Sequence, residues 1–124
     1  MNISEVTMTV NDIIKLLDAT ALAGKENLDN EVKTACGSDM MSDVLAFAKT
    51  SCVLLTGLCN PQVIRTAEMM DIVAIIFVRG KTPDEAMIAM ADEMGLPLLS
   101  TPHRMFSACG LLYETGLRGG ITNG

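Results

Sequence analysis

The sequence predicts one α/β domain with three layers, in which a mostly parallel sheet of about five strands is flanked by helices. Two apolar runs, residues 53–55 and 72–78, support this prediction because neither alternates with polar residues. Such runs are typical of strands that crossover helices cover on both faces. Each run is followed by a segment with helical spacing of apolar residues, so strand and helix alternate along the chain.

Length and charge limit the classes of protein to which the chain can belong. With 124 residues, 49% of them hydrophobic, it can bury one core without disulfides or metals. A net charge of −6 argues against nucleic-acid binding, which requires a surplus of Lys and Arg. No apolar run approaches the ~20 residues that span a bilayer, and no basic leader precedes one. We expect a cytoplasmic protein that contacts neither nucleic acid nor membrane.

The first elements follow from capping and turn residues. Residues 1–8 are predicted to be frayed or a short edge element, ahead of a domain at residues 9–117. Thr9 with Asp12 predicts a helix that ends near residue 18. Residues 19–23 are apolar and closed by glycine, which predicts a strand, and residues 31–36 predict the next one with weaker alternation.

The second helix is predicted to open at residues 37–39, capped by Ser38 or Asp39. Its apolar positions recur at helical spacing and predict a buried stripe. The stripe consists of Met41, Val44, Leu45 and Ala48.

The later helices also carry start and stop signals. Asn60 predicts a cap with Pro61 at the first helical position, and residues 82–85 predict a capping box with Pro83 at the first helical position. Gly95 predicts the end of that helix. Residues 96–99 predict the last strand, residues 100–102 start a terminal helix, and residues 118–124 are predicted to be a flexible tail. The buried face of the terminal helix is predicted to hold Met105, Phe106, Cys109 and Leu112.

The sulfur-containing residues leave two alternatives open. The four cysteines lack C-x-x-C spacing, and His103 is not placed to complete a zinc site, so we predict reduced structural thiols, no metal and no cofactor. The alternative is a redox-sensing or cluster-binding surface with Cys59 as its best candidate, because a following helix N-terminus would lower the pKa of that thiol. The ten methionines predict core filling or, alternatively, an adaptable interface. They cluster at Met40 and Met41, at Met69 and Met70, and at Met87, Met90 and Met94.

A candidate anion site lies in the loops that leave the carboxyl ends of the strands, where open parallel sheets bind ligands. Three of the nine basic residues fall in two of these loops, beside helix N-termini that favour anions. Alternatively, the cations are solvated turn residues and the hydroxyls only cap helices. The predicted anion-binding residues are Ser38, Asp39, Thr56, Gly57, Asn60, Arg79, Gly80, Lys81, Thr101 and Arg104.

Catalytic signatures are weak in this sequence. Residues 79–82 contain Gly-Lys-Thr without the upstream glycine of a phosphate-binding loop, and no G-x-G-x-x-G motif is present. One histidine beside Ser100 and Ser107 does not predict a catalytic triad. Asp71 more simply stops a helix than binds magnesium. We therefore predict that the chain is not an enzyme.

Several segments resemble the DRTGG-domain family, small α/β modules similar to the N-terminal domain of HPr kinase/phosphorylase and to a module of phosphotransacetylases. The matching segments are residues 37–46, 55–58, 60–61 and 79–81, and the resemblance spans residues 10–117. It implies a parallel-sheet domain that self-associates and is regulatory, with no catalytic residues to carry over. The Asp-Arg-Thr-Gly-Gly string that names the family is absent, because Asp39 is followed by Met40 and Asp43 by Val44.

The resulting functional prediction is a non-catalytic regulatory module. It would be a homodimer that binds a small anionic ligand, such as a nucleotide, at the carboxyl edge of its sheet. The alternative is a structural or adaptor protein without a ligand, which joins a redox enzyme system. Stand-alone relatives encoded near hydrogenase subunits suggest this second reading.

Overall fold

A computed structural model describes residues 8–119 of the chain. A five-stranded sheet with the order β2-β7-β6-β5-β4 forms its centre, and β1 and β3 pair separately as a two-stranded antiparallel sheet. The strands are β1 Met8–Thr9, β2 Thr20–Ala23, β3 Glu31–Val32, β4 Thr34–Gly37, β5 Cys52–Thr56, β6 Ile72–Phe77 and β7 Leu98–Ser100. The helices are α1 Val10–Leu17, α2 Met41–Phe47, α3 Pro61–Met69, α4 Glu85–Met94 and α5 Met105–Glu114, with a short 3-10 helix at Lys25–Asn27.

The sheet confirms the predicted fold class. Strands β4 to β7 are parallel, and only β2 is antiparallel to its neighbour β7 at one edge. Helices α2, α3 and α4 pack on one face, while α1 and α5 pack on the other. The inner strand β5 contributes Leu54 to the first core and Val53 and Leu55 to the second, so both of its faces are covered. None of the helices in residues 8–119 is long and apolar enough to cross a membrane.

Capping residues in the sequence predicted most of the helix ends correctly. Thr9 and Asp12 form the predicted capping box, and Asn60 caps α3 with Pro61 at its start. Gly95 ends α4 in the left-handed conformation, with a φ of +65° that suits a residue without a Cβ. The helix predicted from residue 82 was wrong by two residues, because Asp84 provides the cap and Pro83 is buried ahead of it.

Two predictions about residues 31–39 were wrong. The single strand is two strands in different sheets, because the chain bends where the amides of Lys33 and Thr34 both donate to the Ser51 carbonyl. Helix α2 begins after Met40 without a side-chain cap. Ser38 and Asp39, the predicted caps, bind other groups instead.

The buried faces of α2 and α5 also differ from prediction. Leu45 is 44% exposed and Phe106 is 90% exposed, whereas Val44 and Leu112 are buried. Both helices are apolar around much of their circumference, so the sequence pattern did not identify which side faces the sheet. The methionines divide as well: Met41 and Met87 fill the core, while Met40, Met69 and Met94 are exposed.

The ends of the chain lie largely outside the described residues. Predictions for residues 1–7 and 120–124 therefore stay predictions, as does the division of the chain into a domain and a tail. Arg118 is described: its carbonyl accepts the amide of Ala35 at 3.1 Å, and its guanidinium stacks on Tyr113, 3.7 Å from the ring centre.

Candidate functional site

The candidate site lies where the parallel strands end, because neighbouring strands bring their following loops together. The loops after β4, β5, β6 and β7 stand in that order along this edge. Nine of the ten residues of the predicted anion site fall in these four loops or at the helix starts that follow them, and Thr56 is the last residue of β5. Some of these residues meet at the turn after β5, whereas others use their polar groups for hydrogen bonds within the fold.

Asp39 joins the loop after β4 to the turn after β5. Its Oδ1 atom accepts the backbone amide of Gly57 at 2.6 Å and the hydroxyl of Thr56 at 3.0 Å. The Thr56 hydroxyl also accepts the amide of Leu58 at 3.0 Å, so it donates and accepts within the same turn. Thr56 and Gly57 are buried while Asp39 is exposed, so the carboxylate holds this turn from the solvent side.

Arg79 reaches the same turn from the loop after β6. A Cβ built on Gly57 would lie 2.8 Å from the Nη2 atom of Arg79 and 3.5 Å from the Oδ1 atom of Asp39. The guanidinium and the carboxylate therefore both approach the backbone of Gly57, which carries no side chain. Glycine at position 57 is what allows the guanidinium to approach the end of β5 this closely.

The backbone of Arg79 is in the left-handed region, with a φ of +61°, and Gly80 follows with a φ of +69°. For a residue with a Cβ this conformation costs roughly 1–2 kcal/mol. Hydrogen bonds to the loop after β7 hold it: the Arg79 amide donates to the His103 carbonyl and the Gly80 amide to the Thr101 carbonyl, each at 2.8 Å.

These bonds cross the boundary between β6 and β7. Helix α4, after β6, packs on one face of the sheet, and α5, after β7, packs on the other. Open parallel sheets offer a ligand crevice at such a point. Here a further hydrogen bond joins the loop after β6 to the end of β7, since the hydroxyl of Ser100 donates to the Lys81 carbonyl at 2.7 Å.

Several predicted site residues use their polar groups within the fold. Thr101 is buried, and its hydroxyl donates to the Leu17 carbonyl at 2.7 Å. The Ser38 hydroxyl accepts the Met40 amide, and the Asn60 side chain accepts an amide in the first turn of α3. Lys81 and Arg104 are exposed. The groups directed to the edge and open to solvent are therefore the cations and Asp39.

The pKa values of the cysteine thiols contradict one alternative that the sequence suggested. All four cysteines are free, and burial raises the pKa of each thiol, that of Cys36 to about 11. The predicted lowering of the Cys59 pKa was wrong, because partial burial outweighs the favourable charge of Lys81. Within residues 8–119, no group of three or more His, Cys, Asp or Glu side chains is arranged to hold a metal ion.

The sequence did not reveal an apolar surface on α5. Phe106 and Tyr113 are exposed there, and a shallow groove runs between His103 at one end of the helix and Glu114 at the other. The only signal in the sequence was the excess of apolar positions on this helix, which we assigned to its buried face.

Comparison with known proteins identifies relatives of the fold. Residues 12–115 match the DRTGG domain family. The CBS and DRTGG domains of the regulatory region of Clostridium perfringens pyrophosphatase, solved with the activator diadenosine tetraphosphate, superpose with a TM-score of 0.68 at 18% identity. The match covers 86% of this chain and 46% of that chain, so this chain spans about half of the solved one. No curated protein sequence matches.

Proposed function

Because this chain belongs to the DRTGG domain family, we propose that it is a non-catalytic regulatory module that binds a small anionic ligand at the carboxyl edge of its sheet. The observation that carries the proposal is the position of the Arg79 guanidinium, which approaches the backbone of Gly57, the residue whose amide Asp39 binds. An acidic chain thus places a cation on a rigid turn, at the edge where parallel sheets bind ligands.

The chemistry of this group suits phosphate. A guanidinium offers five donors in a planar fork that matches phosphate oxygens, and Lys81 adds a second exposed cation two residues away. The left-handed backbone of Arg79 is strained, and such strain persists where neighbouring structure enforces it, often at functional sites.

Asp39 gives the site two states. Without ligand, the guanidinium and the carboxylate both lie near the backbone of Gly57, so an arriving anion competes with Asp39 in attracting Arg79. A ligand that draws Arg79 away favours the second arrangement by its difference in affinity for the two. Because Asp39 also holds the turn after β5, release of the guanidinium would alter the surroundings of that turn, which is the form a regulatory signal would take.

A nucleotide is the first ligand to test. The related regulatory region was solved with diadenosine tetraphosphate as its activator, and that molecule carries a chain of phosphates. We propose in addition that this protein is a homodimer in the cytoplasm, where the reducing environment suits its free cysteines.

The test is a thermal-shift series with diadenosine tetraphosphate, ATP, AMP, pyrophosphate and acetyl phosphate. At 100 times its Kd, a ligand that binds only the folded state stabilises it by about 2.7 kcal/mol, which raises Tm by roughly 10 °C in a domain of this size. The shift should disappear in an Arg79→Ala/Lys81→Ala variant. It should persist in Lys15→Ala/Arg65→Ala, which removes two exposed cations from other helices. An unchanged shift in the first variant, or no shift with any anion, would contradict the proposal.

A second candidate function is an adaptor that joins a redox enzyme system through a protein surface. Met40 and Phe47 favour it, since they are 61% and 62% exposed and lie at the two ends of α2, Met40 directly before its first residue and Phe47 as its last. Met41 is buried and contributes nothing to this surface. Co-purification with a redox enzyme subunit should be lost in Met40→Ser and kept in Met69→Ser, which alters an equally exposed methionine on α3.

A further inference from the structure

A cleft opens between the end of the edge strand β4 and helix α5. Its volume is about 200 Å³, and both Gly37, the last residue of β4, and Cys109 of α5 line it. A side chain at position 37 would narrow the cleft, since a Cβ built there would lie 2.9 Å from the Sγ atom of Cys109. The rest of the lining is largely apolar and includes Leu55, Leu112 and Leu117.

The size of the cleft suits a single ring system. Sites for drug-sized ligands span about 300–1,000 Å³, whereas an apolar cavity of about 150 Å³ holds one benzene molecule. The cleft can therefore take a planar base but not a whole nucleotide. Part of its wall is fixed in advance, because the Arg118 guanidinium stacks on Tyr113 and donates to the carbonyls of Tyr113 and Leu117.

The outer edge of β4 offers a hydrogen-bond donor and an acceptor at this cleft. Ser38 donates its amide to Leu55 of β5, whereas Ala35 donates its amide to the Arg118 carbonyl on the other side of the strand. Gly37 follows Ala35 by two residues, so its amide also points away from β5. Gly37 is exposed, and in the described part of the chain its amide has no hydrogen-bond acceptor. The Ala35 carbonyl and the Gly37 amide thus stand side by side, open to a ligand.

The cleft adjoins the candidate anion site along the same two segments of chain. Gly37 pairs with Leu55 in the sheet, and two residues further on Asp39 accepts the amide of Gly57. Two residues of a strand span about 7 Å. One ligand can therefore reach from the cleft to the backbone of Gly57, which the Arg79 guanidinium approaches.

We propose that this cleft binds the adenine ring of an adenine nucleotide whose phosphates lie at Arg79. The amine on C6 of adenine donates a hydrogen bond and the neighbouring N1 atom accepts one, which matches the Ala35 carbonyl and the Gly37 amide. Hypoxanthine carries an acceptor at C6 and a donor at N1, so it fits only when turned over, with its ribose directed away from Arg79. The assignment rests on the proposed function for the phosphates and adds the base that the cleft selects.

Adenosine tests the cleft apart from the anion site, because it carries no phosphate. In nuclear magnetic resonance spectra of nitrogen-15-labelled protein, millimolar adenosine should shift the amide signal of Gly37 in a saturable way, and ribose should not. The shift should be lost in Cys109→Leu, which fills the cleft, and kept in Ser107→Leu, the same residue introduced at an exposed position of α5. Circular dichroism checks that both variants fold. An unmoved Gly37 signal, or an unchanged shift in Cys109→Leu, would overturn the proposal.

Calorimetric titration with ATP, ITP and tripolyphosphate tests how the base and the phosphates combine. We expect ATP to bind at least about tenfold more tightly than either of the others, because only adenine satisfies both backbone groups in the productive orientation. Equal affinities for ATP and ITP would overturn the adenine assignment. Binding of tripolyphosphate without adenosine would refute the cleft and leave the anion site standing. Binding of adenosine without tripolyphosphate would support the cleft and refute the anion site.

Discussion

The carboxylate of Asp39 accepts the backbone amide of Gly57 at 2.6 Å, across 18 residues of sequence. This bond fastens the loop after the edge strand β4 to the turn after its neighbour β5. The same oxygen also receives the Thr56 hydroxyl, so one exposed side chain satisfies two donors on buried residues. The arrangement of these two segments at the candidate site thus depends on a single carboxylate.

Replacement of Asp39 by Ala should lower the free energy of unfolding by about 1–3 kcal/mol. The substitution leaves a buried amide and a buried hydroxyl without their acceptor, and each such loss has a cost of this order. Asp39→Asn retains one acceptor oxygen without the charge and should cost less. Urea denaturation at pH 7 measures both.

Glu93→Ala is the control for Asp39→Ala. Glu93 is exposed on α4, and its removal should change stability by less than about 0.5 kcal/mol. Equal losses in the two variants would mean that Asp39 stabilises the protein only through its charge.

Gly57→Ala should separate anion binding from folding. The new methyl group would lie 2.8 Å from the Nη2 atom of Arg79, which is the free end of a flexible side chain and can move away. We expect a change in stability below about 1 kcal/mol, together with a reduced anion-dependent rise in Tm, because the guanidinium can no longer occupy its place. Full retention of the Tm rise would contradict the proposed role of Arg79.

Sequence patterns predicted features that local chemistry determines and missed those that depend on distant contacts. Asn60 with Pro61, and Gly95, act within one turn of their own helix, so their roles could be inferred from sequence. Asp39 resembled a helix cap, but the amide it binds lies 18 residues away. Thr101 resembled a site residue, yet its hydroxyl bonds to the carbonyl of Leu17, 84 residues away.

Packing explains the remaining differences. Phe106 and Leu112 are both apolar and both on α5, and only the position of the helix over the sheet determines that Leu112 is buried and Phe106 exposed. The sequence could not predict that position. Strand β5, covered on both faces, left no such choice and was predicted correctly.

Gly24→Ala should destabilise the fold far more than Gly80→Ala. Both glycines have positive φ, +63° and +69°, so both substitutions carry a backbone strain of roughly 1–2 kcal/mol. At position 24 the new methyl group would in addition overlap the Leu96 carbonyl carbon and the Pro97 nitrogen, whereas position 80 has no heavy atom within 4 Å. The difference between the two variants in free energy of unfolding, measured by urea denaturation, gives the cost of the steric overlap. Equal losses would show that backbone strain alone accounts for the effect.

Thr101→Val should cost about 1–3 kcal/mol of stability although it hardly changes volume. The lost hydroxyl donates to the Leu17 carbonyl at 2.7 Å and accepts the His103 amide at 3.3 Å, and both groups would lose a partner in a buried place. Thr101→Ser, which keeps the hydroxyl, is the matched control and should retain most of the stability in thermal denaturation. A valine variant as stable as the serine variant would show that the bond is dispensable.

Stability should fall at alkaline pH, and ionisation of the Cys36 thiol should cause part of this fall. Burial, with smaller contributions from nearby Cys52 and Asp43, raises the pKa of the Cys36 thiol from 9.0 to about 11. The folded state therefore holds this proton more tightly than the unfolded state, so the thiol leaves stability unchanged below pH 9 and lowers it as the pH rises towards 11. In urea denaturation at pH 8 and 10.5, Cys36→Ala should lose less stability between the two pH values than the wild type. An identical loss in both proteins would show that other groups cause the decline.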